Sequence, residues 1–368
     1  MAAFIKGLDL CERFYVEAVQ PILKRHFPNI IYSAGRLGQG SDVLGFDTPT
    51  SMDHDWGPRL TLFLDASDFQ KYSQEINVVL GQELPFEVCG FSTHFSRHED
   101  NTAGLQKAEA RPIIHGVVVT TVSDFFQDYL GSNPLHPFSE RDWLSIAPQK
   151  LRTIVSGRIF HDGLQQLEVV RQNLTWYPHD MWLYLMANQW RRIDQEEPFV
   201  GRCGDVRDDL GSQIVASRLI TEVMRLCFLM EKSYAPYFKW FGSAFSLLPC
   251  SKVLSPIFQN IFACVGWKER EHHLSEAYLI VTQMHNDLGV TTLIKPEISP
   301  FHARPYLIPH SNRFYEALHQ VIQSPVVKSL PKHVGAIWQF ADSTDILGSP
   351  LYCDALTSVY EDEKQRSV

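Results

Sequence analysis

Residues 40–56, GSDVLGFDTPTSMDHDW, contain the pattern that decides the fold. Gly40 and Ser41 come shortly after a strand-like segment at residues 30–34. Twelve residues after Ser41 the chain reaches Asp53 and Asp55, at the mouth of a second strand-like segment. Because successive side chains of a strand point to opposite faces, we expect the two carboxylates to share one face.

This arrangement predicts a particular chemistry. Two carboxylates on one face repel each other unless a cation lies between them. Oxygen ligands suit Mg²⁺, or Mn²⁺, held together with the phosphates of a substrate. A Gly-Ser turn adds backbone N–H groups and a hydroxyl for a phosphate tail. The alternative is structural, because an Asp-x-Asp beside a Pro-Thr loop is also typical of a solvated turn.

The rest of the chain predicts an α+β protein of two domains. Hydrophobic periodicity indicates an N-terminal domain, residues 1–140, in which a mixed sheet packs with helices. Long helical patterns then dominate, which predicts an all-helical domain at residues 141–368. The predicted helices and strands are 7–27, 30–34, 59–65, about 67–81, 86–95, 113–122, 148–156, 163–174, 179–196, 209–232, 236–247, 252–264, 267–287 and 311–323.

Composition excludes several functional classes. The chain of 368 residues has 33 Lys and Arg against 42 Asp and Glu, a net charge of −9. This disfavours a nucleic-acid partner or an anionic membrane surface. Seven scattered cysteines without a C-x-x-C pair argue against a disulfide framework. With no signal peptide or apolar run of membrane-spanning length recognised, we expect a cytoplasmic protein.

Four segments carry a resemblance to a known family. They resemble the nucleotidyltransferase-like family filed as domain of unknown function 4037, within the DNA polymerase β-like nucleotidyltransferase superfamily. The segments are GSDVLGFDTPTSMDHDWGPRL (40–60), QWRRIDQEEPFVGR (189–202), LGSQIVASRLITEVMRLCFLMEKSYAPYFKW (210–240) and PFHARPY (300–306). The superfamily implies metal-dependent transfer of a nucleoside monophosphate from a nucleoside triphosphate to an acceptor, with release of pyrophosphate.

The resemblance also implies roles for residues of this chain. Asp53 and Asp55 would hold Mg²⁺ or Mn²⁺ on the triphosphate substrate. Gly40 and Ser41 would hold its β- and γ-phosphates. Two cationic side chains would neutralise phosphate charge: Arg59 and, by similarity to the Lys-Trp of antibiotic nucleotidyltransferases, Lys239.

A third carboxylate, usual in active members of the superfamily, has no obvious counterpart. The strand predicted at 113–122 contains none, and Glu87 is the one carboxylate inside the other candidate strand. The base could instead come from the helical domain, where acidic residues cluster at Asp194, Glu196 and Glu197. That cluster suits either a cleft wall or a solvated helix end with i,i+4 pairing, for example Arg192 with Glu196.

The expected function is therefore nucleotidyl transfer to a small-molecule acceptor, with the nucleotide in a cleft between the two domains. A small or cationic acceptor fits the acidic chain better than a polynucleotide does. Two alternatives stay open. One is a nucleotide-binding or regulatory protein that has kept the fold and lost catalysis. The other is nucleotide-dependent activation of a carboxylate.

Overall fold

The computed structural model describes residues 3–97 and 102–361. The chain divides into two compact units. The first contains Met1–Phe138 and Lys150–Thr175, and the second contains Ser139–Gln149 and Trp176–Val368. The first contains a sheet with helices and the second is rich in helix, which confirms the predicted α+β class. This division differs from the predicted boundary at residue 140, since residues 150–175 belong to the first unit.

The chain begins with helices and strands that alternate irregularly. In chain order the elements are α1 (Gly7–Phe14), α2 (Gln20–His26), β1 (Tyr32–Arg36), α3 (Ser41–Leu44), β2 (Arg59–Leu64), α4 (Ala66–Glu83), β3 (Glu87–Val88), β4 (Phe91–Ser92), β5 (Phe95–Arg97), β6 (Ala103–Leu105), β7 (Gly116–Thr121), α5 (Val122–Leu130), α6 (Glu140–Ser145), α7 (Pro148–Val155), β8 (Arg158–Asp162) and α8 (Leu167–Asn173).

One mixed sheet organises the first unit. Its strand order is β7-β2-β1-β8, with β2 and β7 parallel and the other two pairs antiparallel. The parallel pair requires a crossover, which includes α4. Two short ribbons, β3-β4 and β5-β6, lie outside this sheet. The predicted strand at 86–95 is therefore wrong as a single element, because Gly90, at φ 79°, lies between β3 and β4.

Both faces of β2 are covered, which fixes its position at the centre of the unit. Leu60, Leu62 and Leu64 are buried in one core together with α1, α2 and α4 side chains. Phe63, on the opposite face, packs edge-on against Phe125 of α5, with ring centroids 5.3 Å apart. Because both faces of β2 are buried, the strand holds a fixed position, and so does the end of the segment 40–57 that leads into it.

Local sequence sets the helix boundaries. The predicted helix 7–27 is one continuous stretch in which a π-helical segment, Tyr15–Val19, separates α1 from α2. Pro21 has no N–H to donate, and it lies at the start of α2, directly after the π-helical segment where the regular α-helical hydrogen bonding changes. Asp65 caps α4 by accepting from the N–H groups of Ser67 (2.8 Å) and Asp68 (3.0 Å). The cap is therefore Asp65, and α4 begins at Ala66, one residue before the predicted start at about residue 67.

The second unit is built from helices. After α6 and the start of α7 it contains α9 (His179–Glu196), α10 (Phe199–Asp205), α11 (Asp209–Met230), α12 (Phe241–Phe245), α13 (Ser251–Ala263), α14 (Trp267–Asp287), β9 (Ser299–Pro300), β10 (Leu307–Ile308), α15 (Asn312–Val321), α16 (Pro325–Ser329), α17 (Ile337–Phe340), α18 (Thr344–Gly348) and α19 (Pro350–Leu356). The small ribbon β9-β10 is an exception to the all-helical prediction.

Helix α9 is the core of this unit. Every side chain from Met181 to Trp190 is buried, which indicates a helix surrounded by others. The Trp190 ring stacks on Phe314 of α15 with centroids 4.2 Å apart. Within the described ranges, no helix has both the length and the apolar character of a membrane-spanning segment.

Candidate functional site

The Gly-Ser loop follows β1 and leads into α3. Gly40 has φ 154°, a conformation that side chains disfavour. A Cβ at this position would lie 2.0 Å from Asp42 Oδ1 and 2.5 Å from Arg36 Nη2. Ser41 is half-buried and begins α3, which ends at Gly45 with φ 74°. The loop therefore depends on glycine at position 40.

Arg36, the last residue of β1, holds this loop from inside. Its guanidinium binds both oxygens of Asp42, with Nε 2.9 Å from Oδ2 and Nη2 3.0 Å from Oδ1. It also donates to the carbonyls of Leu37 (3.0 Å) and Gln39 (2.7 Å). Sequence reasoning missed Arg36 and Asp42. The sequence signal is the position of Arg36, two residues after the strand predicted at 30–34, because a charge that is buried there needs a partner.

A second arginine shares the same carboxylate. Arg59, the first residue of β2, has Nη2 3.4 Å from Asp42 Oδ1, and its buried Nε has no hydrogen-bond partner. Two guanidinium groups and one carboxylate leave one positive charge beside the loop. Burial works against the charged form of Asp42, but Arg36 and Arg59 together lower its pKa. Burial and the charge of Arg36 lower the pKa of Arg59.

Asp53 and Asp55 precede β2 and are not part of it. Asp53 ends a 3₁₀ turn, Pro49–Asp53, that opens with a Thr48–Ser51 capping box. Asp55 has φ 48° and accepts from the N–H of Ala103 at 3.2 Å. The expectation that strand alternation places both carboxylates on one face is therefore wrong. The 3₁₀ turn that begins at Pro49 and the left-handed backbone at Asp55 replace the extended conformation that strand alternation would require.

A buried carboxylate, Asp47, connects the middle of the segment 40–56 to the start of α1. Asp47 accepts from the N–H of Gly7 at 2.6 Å and from Trp56 Nε1 at 3.2 Å. Lys6 Nζ lies 3.2 Å from its other oxygen. Because Asp47 lies between the Gly-Ser pair and the Asp-x-Asp pair, these bonds help to fix both ends of the segment.

Asp53 and Asp55 have the donor chemistry that Mg²⁺ prefers. Both carboxylates are exposed, and Asp53, whose side chain is 62% exposed, pairs with its neighbour His54 and accepts from its N–H. Oxygen-only ligands that are open to solvent fit a hard cation. A second group of metal-binding residue types lies in the helical unit, where ligand atoms of Cys264, Glu269 and His273 lie within 4.8 Å of one another.

Glu87 is not part of the four-stranded sheet. It is an exposed residue of the ribbon β3-β4, opposite Ser92. Within the strands of the four-stranded sheet, Asp162 of β8 is the one carboxylate. It accepts from Ser33 Oγ at 2.6 Å and pairs with the start of β1, whereas the Gly-Ser loop follows the end of β1. The structure therefore places no strand carboxylate at that end of the sheet.

The acidic cluster of the helical unit has structural partners. Asp194 pairs with Arg191 and accepts from the N–H of Asn312, and Glu197 accepts from the N–H of Ser311 at 3.1 Å. Both carboxylates thus meet the start of α15, where N–H groups are free to donate. Burial raises the pKa of Glu197 to about 8.

Glu196 and Lys239 also lie in the helical unit. Glu196 binds Arg218, with Arg218 Nε 3.0 Å from Oε2, in place of the i,i+4 pair expected with Arg192. Lys239 is exposed on a 3₁₀ turn, Phe238–Trp240, with Nζ 5.1 Å from the centroid of the Trp240 ring. The predicted roles of these residues and of Glu87 stay predictions.

Comparison with known proteins finds a solved structure of low similarity and a partial match to a family model. No curated protein matches the chain. A solved structure of a nucleotidyltransferase-like protein from Exiguobacterium sibiricum 255-15 is similar, with a TM-score of 0.31 and 10% identity over 87% of this chain and 96% of that chain. Residues 143–241 match the family described as domain of unknown function 4037, and this match contains two of the four motifs that predicted that family.

Proposed function

We propose that the protein transfers a nucleoside monophosphate from a nucleoside triphosphate to a small-molecule acceptor and releases pyrophosphate. The observation that carries the proposal is the Gly40–Ser41 loop, held by a buried cluster with one surplus positive charge, Arg36–Asp42–Arg59. A phosphate tail needs N–H donors and positive charge in one place, and this loop provides both.

The residues of the first unit divide the task of holding the triphosphate. Gly40 and Ser41 contribute backbone N–H groups, and Ser41 adds its hydroxyl. Arg59 has donors that Asp42 does not use, since its Nε is buried without a partner. An anion beside Arg59 would therefore satisfy a donor that is otherwise costly to bury. Arg36 acts as a positioning residue, because it donates to Leu37, Gln39 and Asp42 around the loop.

Asp53 and Asp55 would hold Mg²⁺ or Mn²⁺. When bound, such an ion neutralises negative charge on the phosphates and on the leaving pyrophosphate. Arg59 would share that work. The proposal does not require the two carboxylates to lie on one strand face.

The transfer is an in-line substitution at the α-phosphorus. A hydroxyl of the acceptor forms the new P–O bond while the bond to the pyrophosphate oxygen breaks, and pyrophosphate takes that electron pair. The acceptor proton passes to a carboxylate or to water. Among the four proposed bases, Glu87 is exposed, while Asp194, Glu196 and Glu197 are each bonded to a partner in the helical unit.

A second candidate is a nucleotide-binding protein without turnover. The observation in its favour concerns Asp162, the one carboxylate in a strand of the four-stranded sheet, whose oxygens already accept from Ser33 and from backbone N–H groups at the start of α8. Activation of a carboxylate substrate by the nucleotide would use the same triphosphate site.

The test is a pyrophosphate-release assay with each of the four ribonucleoside triphosphates, Mg²⁺ or Mn²⁺, and pooled hydroxyl, amine or carboxylate acceptors. We expect metal-dependent release that Asp53→Asn/Asp55→Asn abolishes. Glu75→Gln, an exposed carboxylate of α4, is the matched control and should keep full activity. Release that depends on a carboxylate acceptor would favour carboxylate activation.

Nucleotide binding separates the remaining outcomes. Thermal stabilisation by Mg²⁺-nucleotide without pyrophosphate release would favour the binding protein. If nucleotide neither stabilises the protein nor releases pyrophosphate, the proposed triphosphate site is wrong. Arg59→Gln should weaken stabilisation by nucleotide, whether or not the protein releases pyrophosphate.

A further inference from the structure

The helical unit contains a pocket of about 560 Å³ that the proposed function does not use. All of its lining residues belong to that unit. Four of its five charged side chains come from α9 and α11, namely Arg192, Arg218, Glu222 and Arg225, and the fifth is Asp342. Its volume falls in the range of about 300–1,000 Å³ typical of small-molecule sites.

One carboxylate serves two arginines in the wall. Glu222 Oε1 lies 3.3 Å from Arg225 Nη1 and 3.5 Å from Arg192 Nη2, while Gln189 Nε2 donates to Oε2 at 2.6 Å. The Glu222 side chain is 9% exposed, so this pairing is largely shielded from solvent. Two guanidinium groups with one carboxylate leave a surplus positive charge at the pocket wall.

The remaining charged side chains that line the pocket are Arg218 and Asp342. Arg218 is matched by Glu196, which accepts from both its Nε and its Nη2. Asp342 lines the pocket but is exposed, where water weakens its effect. The buried Nε of Arg192 has no hydrogen-bond partner. The wall therefore has both charge and donors available to an anion.

Aromatic rings form much of the remaining wall. Phe238, at 66% exposed, Phe340, at 41%, and Tyr237, at 37%, line the pocket beside the more buried Trp338. Large exposed rings grouped around a polar pocket are typical of a ligand site. Such rings favour a planar apolar body, on which they can stack.

We propose that this pocket binds an organic anion: an aromatic or conjugated molecule that has a carboxylate or phosphate group. The anionic group contacts Arg192 and Arg225, and the ring system packs against the aromatic wall. Arginine suits this role because its planar donors match carboxylate and phosphate oxygens. The inference goes beyond nucleotidyl transfer and does not depend on it, because it concerns binding alone.

Calorimetry on the full chain tests the proposal with defined probes. These are 1-naphthyl phosphate and 1-naphthoate, with neutral 1-naphthol and inorganic phosphate as the two partial ligands. We expect both naphthyl anions to bind, and each partial ligand to bind about tenfold more weakly or not at all. The relative affinity of the two anions shows which anionic group the pocket prefers.

Charge variants move the affinity in opposite directions. Arg225→Gln leaves Glu222 one arginine partner and removes the surplus charge, so it should weaken anion binding about tenfold or more. Glu222→Gln keeps an oxygen for Gln189 and adds to the surplus, so it should tighten binding. Arg304→Gln, an exposed arginine outside the pocket, is the matched control and should change nothing.

Several results would overturn the inference. One is absence of naphthyl anion binding at millimolar concentration. Others are equal binding of 1-naphthol, equal binding of inorganic phosphate, or an equal loss of affinity in the Arg304 variant. If Arg225→Gln does not fold by circular dichroism, Arg192→Gln gives the same test. An affinity unchanged in Glu222→Gln would likewise contradict the role of the surplus charge.

Discussion

Arg36 binds both carboxylate oxygens of Asp42, at 2.9 and 3.0 Å, and both side chains are buried. Asp42→Asn would leave two arginines beside the Gly-Ser loop without a counter-ion. Breaking a buried ion pair from one side typically costs about 3–5 kcal/mol. We expect a loss of that size in the free energy of unfolding, measured with urea.

The control for this prediction is an exposed ion pair in the same unit. Asp9 is 53% exposed and pairs with Arg158 at 2.8 Å. Asp9→Asn should cost less than about 1 kcal/mol, because exposed pairs contribute little. Equal losses for Asp42→Asn and Asp9→Asn would show that the cluster does not depend on charge balance.

Gly40 and Gly45, two glycines of the same segment, allow backbone strain to be compared with steric collision. Gly40→Ala would collide with Asp42 Oδ1 and Arg36 Nη2, whereas a Cβ at Gly45 meets nothing within 4 Å. Gly45 is in the left-handed region at φ 74°, so Gly45→Ala measures backbone strain without a collision, roughly 1 kcal/mol, whereas Gly40 at φ 154° adds a collision to a backbone conformation that is rarer still. We expect Gly40→Ala to lower the unfolding free energy more, and to lower nucleotide binding as well.

The opposite order would contradict this reading of Gly40. Nucleotide binding should survive Gly45→Ala, since Gly45 lies at the far end of α3 and its added methyl group touches no neighbour. Isothermal titration with Mg²⁺-nucleotide on both variants gives the comparison.

The sequence predicted best what depends on neighbours along the chain. Helices 179–196 and 267–287 match α9 and α14 at both ends, because each carries a long apolar pattern. Strand β8 was missed because it pairs with β1, more than a hundred residues earlier, and residues 158–162 show no strong strand pattern of their own. The predicted helix 236–247 was likewise interrupted, since a 3₁₀ turn precedes α12.

The candidate site shows the same difference between signals along the chain and contacts that need the fold. Gly40, Ser41 and Arg59 were predicted from spacing and resemblance, which are signals that lie along the chain, and their roles stay predictions. The Arg36–Asp42–Arg59 cluster needed the fold, because β1 and β2 must pair before the two arginines meet one carboxylate. The two wall arginines of the helical unit also come from separate helices, α9 and α11, and share Glu222 only after these pack.

Glu197 makes stability depend on pH in one direction. Burial raises its pKa to about 8 from an ordinary 4.5, so the folded protein keeps a proton that the unfolded chain releases. The stability that this proton provides is complete below pH 4.5 and is lost as pH rises through about 8. Glu197→Gln keeps an oxygen for the Ser311 N–H and should flatten the fall in unfolding free energy between those values.

Urea unfolding at a series of pH values checks this, with Glu75→Gln as an exposed control. Glu271, whose burial raises its pKa to about 7, adds a slope of the same sign, so the comparison must be between variants. A Glu197→Gln slope identical to that of the unmodified protein would show that Glu197 is ionised in the fold.

His285 acts in the opposite direction. It is fully buried, accepts from Trp190 Nε1 at 3.2 Å through Nδ1, and packs edge-on against Phe314. Burial lowers its pKa to about 4 from 6.5, so the unfolded chain takes up a proton that the folded protein refuses. Stability from His285 is complete above pH 6.5 and is lost as pH falls through about 4.

His285→Asn can retain an acceptor for Trp190 but cannot bind this proton. It should lower stability at neutral pH, because ring packing is lost, and should also remove part of the slope between pH 4 and 6.5. The exposed His272→Asn should change neither quantity. Since Glu197→Gln and His285→Asn alter the slope with opposite signs, one set of urea curves separates them. A slope unchanged by His285→Asn would place the titrating group elsewhere in the core.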